Sequence, residues 1–137
     1  MSLYDSFNIA GSALSAQSVR LNVTSSNLAN AETVSSSIDK TYRARHPVFA
    51  TVMDKFGNQP HLAGVQVKGV VESQSELQMR YEPEHPQANE EGYIFLPNVN
   101  VVEEMANMIS ASRSYQSNVE VMNTSKQLML ATIRLGQ

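Results

Sequence analysis

Histidine is the side chain best suited to acid–base or metal chemistry near neutral pH, and this chain has three: His46 and His85, each just before a proline, and His61, just after one. Their separations match no recurrent metal-ligand spacing. The carboxylates Glu82, Glu84, Glu90 and Glu91 carry enough charge for a calcium loop. They lack the D-x-D-x-D-G order that such a loop needs, so they read as a solvated acidic loop. Serine is abundant, yet no G-x-S-x-G occurs, no S-x-x-K stands with its companion motifs, and no glycine-rich phosphate loop is present. The absence of cysteine removes disulfides, thiolate metal sites and cysteine nucleophiles. No cofactor, metal or small-molecule substrate is expected, and no enzymatic activity.

With catalysis set aside, the question becomes what the chain builds. Its 137 residues are 42% hydrophobic and 17% charged, with ten Lys and Arg against thirteen Asp and Glu. A net charge of −3 does not suit a protein that holds nucleic acid by neutralising phosphates. The apolar runs are too short for a membrane-spanning helix, so insertion into a membrane is not expected. No basic segment followed by an apolar core opens the sequence, so any export is expected without a cleaved signal peptide.

Charge is unevenly placed. Residues 1–32 hold only Asp5, Arg20 and Glu32, and residues 99–137 hold Glu103, Glu104, Arg113, Glu120, Lys126 and Arg134, which cancel. The remaining charges, all five prolines and every glycine but Gly11 and Gly136 lie in 33–98. Three parts are therefore expected: an N-terminal helix over 1–32, a β-rich module over 33–98 and a C-terminal helix over 99–137.

Residues 3–31 contain no proline and suffice for a helix of about 45 Å. Phe7, Leu14, Leu21 and Leu28 recur every seven residues, with a weaker interleaved row of Leu3, Ala10, Gln17, Thr24 and Ala31. A second stripe, Ile9, Ala16 and Val23, falls about 200° away on the opposite face. In the C-terminal segment Met105, Met108, Ser112, Tyr115, Val119, Met122, Lys126, Met129 and Ile133 alternate by threes and fours, with Gly136 as a helix stop. The methionines suit irregular gaps between packed helices. The fold is expected to be mainly α: long terminal helices paired as an antiparallel coiled coil, flanking a small β-rich insert. Phe7, Leu14, Leu21 and Leu28 should face Met108, Tyr115, Met122 and Met129. Apolar residues on two faces of each helix cannot all be buried by one pair, so partners are expected, with poorly folded helices in the free monomer.

In the middle, residues 42–53 alternate like a strand, as do Val65, Val67 and Val71, then Leu77, Met79 and Tyr81, with one more short strand at 92–97. Phe56-Gly57-Asn58-Gln59-Pro60 reads as a turn. The module has few large apolar side chains and should lean on the helices or on neighbours.

Longer motifs carry a resemblance. Gly11-Ser12-Ala13-Leu14-Ser15-Ala16-Gln17, Leu21-Asn22-Val23 and Ser26-Asn27-Leu28-Ala29-Asn30-Ala31 resemble the N-terminal signature of bacterial flagellar rod and hook proteins. Tyr42-Arg43-Ala44-Arg45 before Val48-Phe49 is similar to the element that follows it. Tyr81-Glu82-Pro83-Glu84-His85-Pro86, the run from Pro97 to Met105 and the stretch from Met108 to Thr124 are most like the proximal-rod members. Glu32 departs from the family's commoner N-x-N-T. The resemblance implies a structural subunit of the basal-body rod, exported through the flagellar type III apparatus and assembled with copies of itself and other rod proteins into a periplasm-spanning helical tube. It also implies that the helices form the inner tube and the β part lies outside. The assembly interface is then expected to use Phe7, Leu14, Leu21, Asn27, Leu28, Asn30, Met105, Met108, Tyr115, Val119, Met122, Met129 and Ile133. Asn27 and Asn30 are expected to bond backbone groups where the first helix ends. Another flagellar axial protein, or a free two-helix adaptor that binds partner helices in a groove, are the alternatives.

Overall fold

In the computed structural model, residues 3–56 and 59–136 are described, with side chains left aside over 54–63. Helix α1 runs over Leu3–Ala29 and α2 over Val101–Leu135. Between them stand a 3-10 turn at Ile38–Lys40 and four strands: β1 Arg45–Phe56, β2 Gln59–Glu72, β3 Gln78–Tyr81 and β4 Tyr93–Leu96. Two long helices thus flank a small module of two sheets, each an antiparallel pair, β1 with β2 and β3 with β4. The turn expected at 56–60 centres on Gly57 and Asn58, which lie outside the described residues.

Each helix end is written locally. Asn100 is extended, and its Oδ1 accepts from the amides of Val102 and Glu103, two donors that no helical carbonyl can reach. Glu103 and Glu104 follow in the first turn, where the helix dipole favours negative charge. At the other end the Gly136 amide closes on the Thr132 and Ile133 carbonyls, with a right-handed φ of −87° rather than a left-handed cap. Just before β4, Gly92 is buried at φ +83°, and a Cβ there would stand 2.8 Å from the Tyr81 ring. Only glycine fits that conformation and that gap. Tyr81 and Tyr93 then meet edge to face at 5.1 Å.

The helices lie side by side. Gly11 faces Met122, Arg20 bonds Asn107 and Asn27 bonds Glu104, so numbering rises along one as it falls along the other. Small and polar residues occupy the deepest positions: Ala10, Ala16, Thr24 and Asn27 on α1, and Glu104, Ala111 and Ser125 on α2. This differs from the expected seam. Phe7, Leu14, Leu21 and Leu28 are half-buried at its edge. On α2 the row of Met105, Ser112, Val119, Lys126 and Ile133 gives way to one a residue earlier: Glu104, Ala111, Asn118 and Ser125. Met105, Lys126 and Ile133 are exposed. One residue is a rotation of about 100°. Small side chains let two backbones approach closely, and the large apolar row is displaced outward.

The stripe of Ile9, Ala16 and Val23 also finds a different neighbour than expected. By helical spacing it shares the side of Ser12 and Asn27, and both of those bond the β1–β2 ribbon. The chain's own ribbon therefore covers the side of α1 that the pattern left for partners. Fifteen residues from Ser15 to Ala29 still hold a free face: Ser15, Ser18, Asn22, Ser25 and Ala29 are all exposed.

Candidate assembly interface

Asn27 is the centre of the polar structure. It has no exposed surface, and both of its amide functions are fully engaged. Nδ2 donates to the Arg45 carbonyl at 2.8 Å and to Glu104 Oε2 at 3.0 Å. Oδ1 accepts from the Tyr42 hydroxyl at 2.8 Å and from the Arg45 amide at 2.9 Å. Two donors and two acceptors exhaust what an asparagine side chain can form. The Tyr42 hydroxyl also lies 3.3 Å from Ser26 Oγ, and the Arg45 guanidinium sits over the Tyr42 ring and pairs with exposed Glu72.

A second asparagine ties the segments that flank β1 and β2. Asn98 Oδ1 accepts from the Ala44 amide at 2.8 Å, and its Nδ2 donates to the Ser75 carbonyl at 2.9 Å. Arg43 donates to the Ser73 and Ser75 carbonyls. The segments 26–30, 42–45 and 98–104, far apart in sequence, thus form one junction at the end of the helix pair. Asn30 stays local, with Nδ2 donating to the Ser26 carbonyl at 2.8 Å. Asn27 bonds backbone too, but that of β1 rather than of its own helix.

The remaining interface candidates are distributed along the helices rather than gathered. Met108, Val119, Met122 and Met129 are half-buried, while Met105, Tyr115 and Ile133 are exposed. Val102, Met105 and Ile109 share one exposed side of α2 on the far side from Glu104 and Ala111, and Val121, Leu128 and Leu135 form another exposed row. So many uncovered large apolar residues on one helix mark a surface made for other protein.

Sequence reasoning missed Glu104, Tyr42, Arg45 and Asn98 as junction residues, because their partners are brought together only by the fold. Asn100 was findable: an asparagine before an apolar run with a glutamate three residues on is a helix-start signal. Among the described side chains the candidates for chemistry are not gathered. His46 is exposed on β1, the His85 ring accepts from the Gln87 amide, and the His61 side chain lies outside the described side chains. Glu82 pairs with Arg80 at the surface. Among the described residues no three His, Cys, Asp or Glu side chains are gathered as a metal would need, and no helix is long and apolar enough to cross a membrane.

The family described as flagella basal body rod protein matches residues 7–34, and the flagellar basal body rod FlgEFG protein C-terminal family matches residues 90–135. The flagellar basal-body rod protein FlgC of Salmonella typhimurium is 52% identical over 137 residues, covering all of both chains. That of Yersinia enterocolitica is 49% identical over the full length of both. That of Borreliella burgdorferi is 36% identical over all of this chain and 99% of its own. The chain belongs to the FlgC family of flagellar basal-body rod proteins, whose members are structural proteins and not enzymes.

Proposed function

We propose that this chain is a subunit of the proximal rod that assembles with copies of itself and with other rod proteins into a helical tube. Residues 1–32 and 99–137 form its inner layer as an antiparallel coiled pair, and residues 33–98 form an outer module. The tube crosses the periplasm, transmits torque and lets later subunits pass, and the chain reaches it through the flagellar type III export apparatus without a cleaved signal peptide. The observation that carries this reading is the uncovered apolar surface of α2, from Val102 to Leu135. Phe7, Leu14, Leu21 and Leu28, half-buried beside it, complete the interface with neighbours.

The exposed face of Ser15, Ser18, Asn22 and Ser25 suits the wall of such a tube. It is small, neutral and hydrogen-bonding, and so neither grips apolar segments nor holds charged ones. Ser26, at the edge of this face, is instead held near the Tyr42 hydroxyl. Substituting Ser18→Lys and Ser25→Lys adds length and positive charge to the face. If these sites line the channel, hooks form in normal number and filaments shorten. If they are packing sites between subunits, rods fail and no hooks appear. Hook counts and filament lengths in the two strains decide between these, and wild-type values for both contradict any role for this face in the tube.

A further inference from the structure

Ser12 and Gly64 join α1 to the β1–β2 ribbon at close range. Ser12 Oγ donates to the Ile9 carbonyl at 2.8 Å and accepts from the Val65 amide at 3.0 Å. Gly64 is buried, and a Cβ built on it would stand 2.6 Å from Ser12 Oγ and 3.2 Å from Ser12 Cβ. Only a residue without a side chain lets the strand reach the helix this closely.

Among the described residues this contact is one of two hydrogen-bonded anchors between α1 and the ribbon. The other, Asn27 on the Arg45 backbone, lies fifteen residues along α1, roughly 22 Å away at the helical rise. Between them the ribbon lies along the side of α1 that carries buried Ala16. Two strands alone are marginal in water, and this ribbon leaves Val48, Phe49, Val70 and Val71 exposed, residues that alternate between its two faces. Among the described residues the ribbon pairs with no third strand, so its course is set by what it touches on α1.

We propose that the Ser12–Gly64 contact is a clamp that keeps the ribbon strapped along α1 in the assembled rod. The strap reserves that side of the helix, so neighbouring subunits meet α1 only along the leucine edge and the serine face. The claim rests on the rod reading above and adds to it which sides of α1 remain available.

Hydrogen exchange on purified basal bodies tests it with the unmodified chain. The Val65 amide donates to Ser12, and a closed clamp protects it by at least about 100-fold relative to a free amide, a protection that Ser12→Ala lowers. A Val65 amide that exchanges freely in assembled rods overturns the clamp. Gly64→Ala supplies an independent measurement. Its added Cβ would stand 2.6 Å from Ser12 Oγ, so it should open the contact, with loss of Val65 protection and reduced swimming. Wild-type protection of Val65 together with wild-type swimming in this variant contradicts the proposal. Absence of the unmodified chain from basal bodies overturns the rod reading instead, so the two failures are distinct.

Discussion

Replacing Leu21 by aspartate is expected to abolish rods, hooks and swimming while the chain continues to be made at its normal level. Leu21 is half-buried in the single chain, with Thr24 of the buried seam on one side and exposed Asn22 and Ser25 on the other. In the isolated chain a carboxylate at such an edge can still reach water, and the cost stays at about 1 kcal/mol, typical of a single substitution. In the proposed rod the same position is covered by a neighbour. An unpaired charge buried there costs about 3–5 kcal/mol, or a factor of 100 or more in association at each contact. The effect is therefore specific to assembly. Immunoblots should show normal chain, and electron microscopy should show hooks falling by at least about tenfold, the effect of even 1.4 kcal/mol. Normal swimming removes Leu21 from the interface.

Asn27→Asp acts on the fold itself. The new carboxylate cannot donate, so the Arg45 carbonyl and Glu104 both lose a bond. It also stands where an amide now meets Glu104 Oε2 at 3.0 Å, and Glu104 is only 4% exposed. Two buried carboxylates in contact and a carbonyl left without its donor should cost about 3–5 kcal/mol, a large share of the roughly 5–15 kcal/mol that stabilises an ordinary domain. Urea unfolding of the purified chain, followed by circular dichroism, reads this loss. Adding Glu104→Gln supplies an amide donor and removes one charge, so the double variant should recover part of the stability. Tyr42→Phe, which deletes one hydroxyl and keeps the ring, should cost only about 1 kcal/mol. Equal losses from Asn27→Asp with and without Glu104→Gln would show that Glu104 and Asn27 are not coupled.

The long elements were legible because they depend on local pattern. Proline-free segments with sevenfold repeats gave both helices, and period-two alternation gave strands in the middle. The rotation of the seam was not legible. Periodicity ranks faces by hydrophobicity and assigns the most apolar row to the partner helix. Here Ala10, Ala111 and Ser125 allow close approach and take the inside, which leaves Met105 and Ile133 exposed. A rule that buries large apolar residues within the chain fails where small residues take the inside and the large ones stay on the surface. The asparagines show a different limit. Asn30 bonds its own helix end, a local event that its residue type foreshadows. Asn27 is satisfied by residues 15 to 77 positions away, and a single sequence does not carry that pairing.

In the proposed rod the terminal helices build the inner layer and the β module stands outside it. A density map of the intact basal body with this chain traced decides this. In it α1 and α2 should lie against the lumen, with Val102, Met105 and Ile109 covered by neighbouring subunits and Ser15, Ser18 and Ser25 facing the channel or a neighbouring helix. A map that puts the β1–β2 ribbon on the lumen, or leaves the apolar side of α2 open to solvent in the assembled rod, contradicts it.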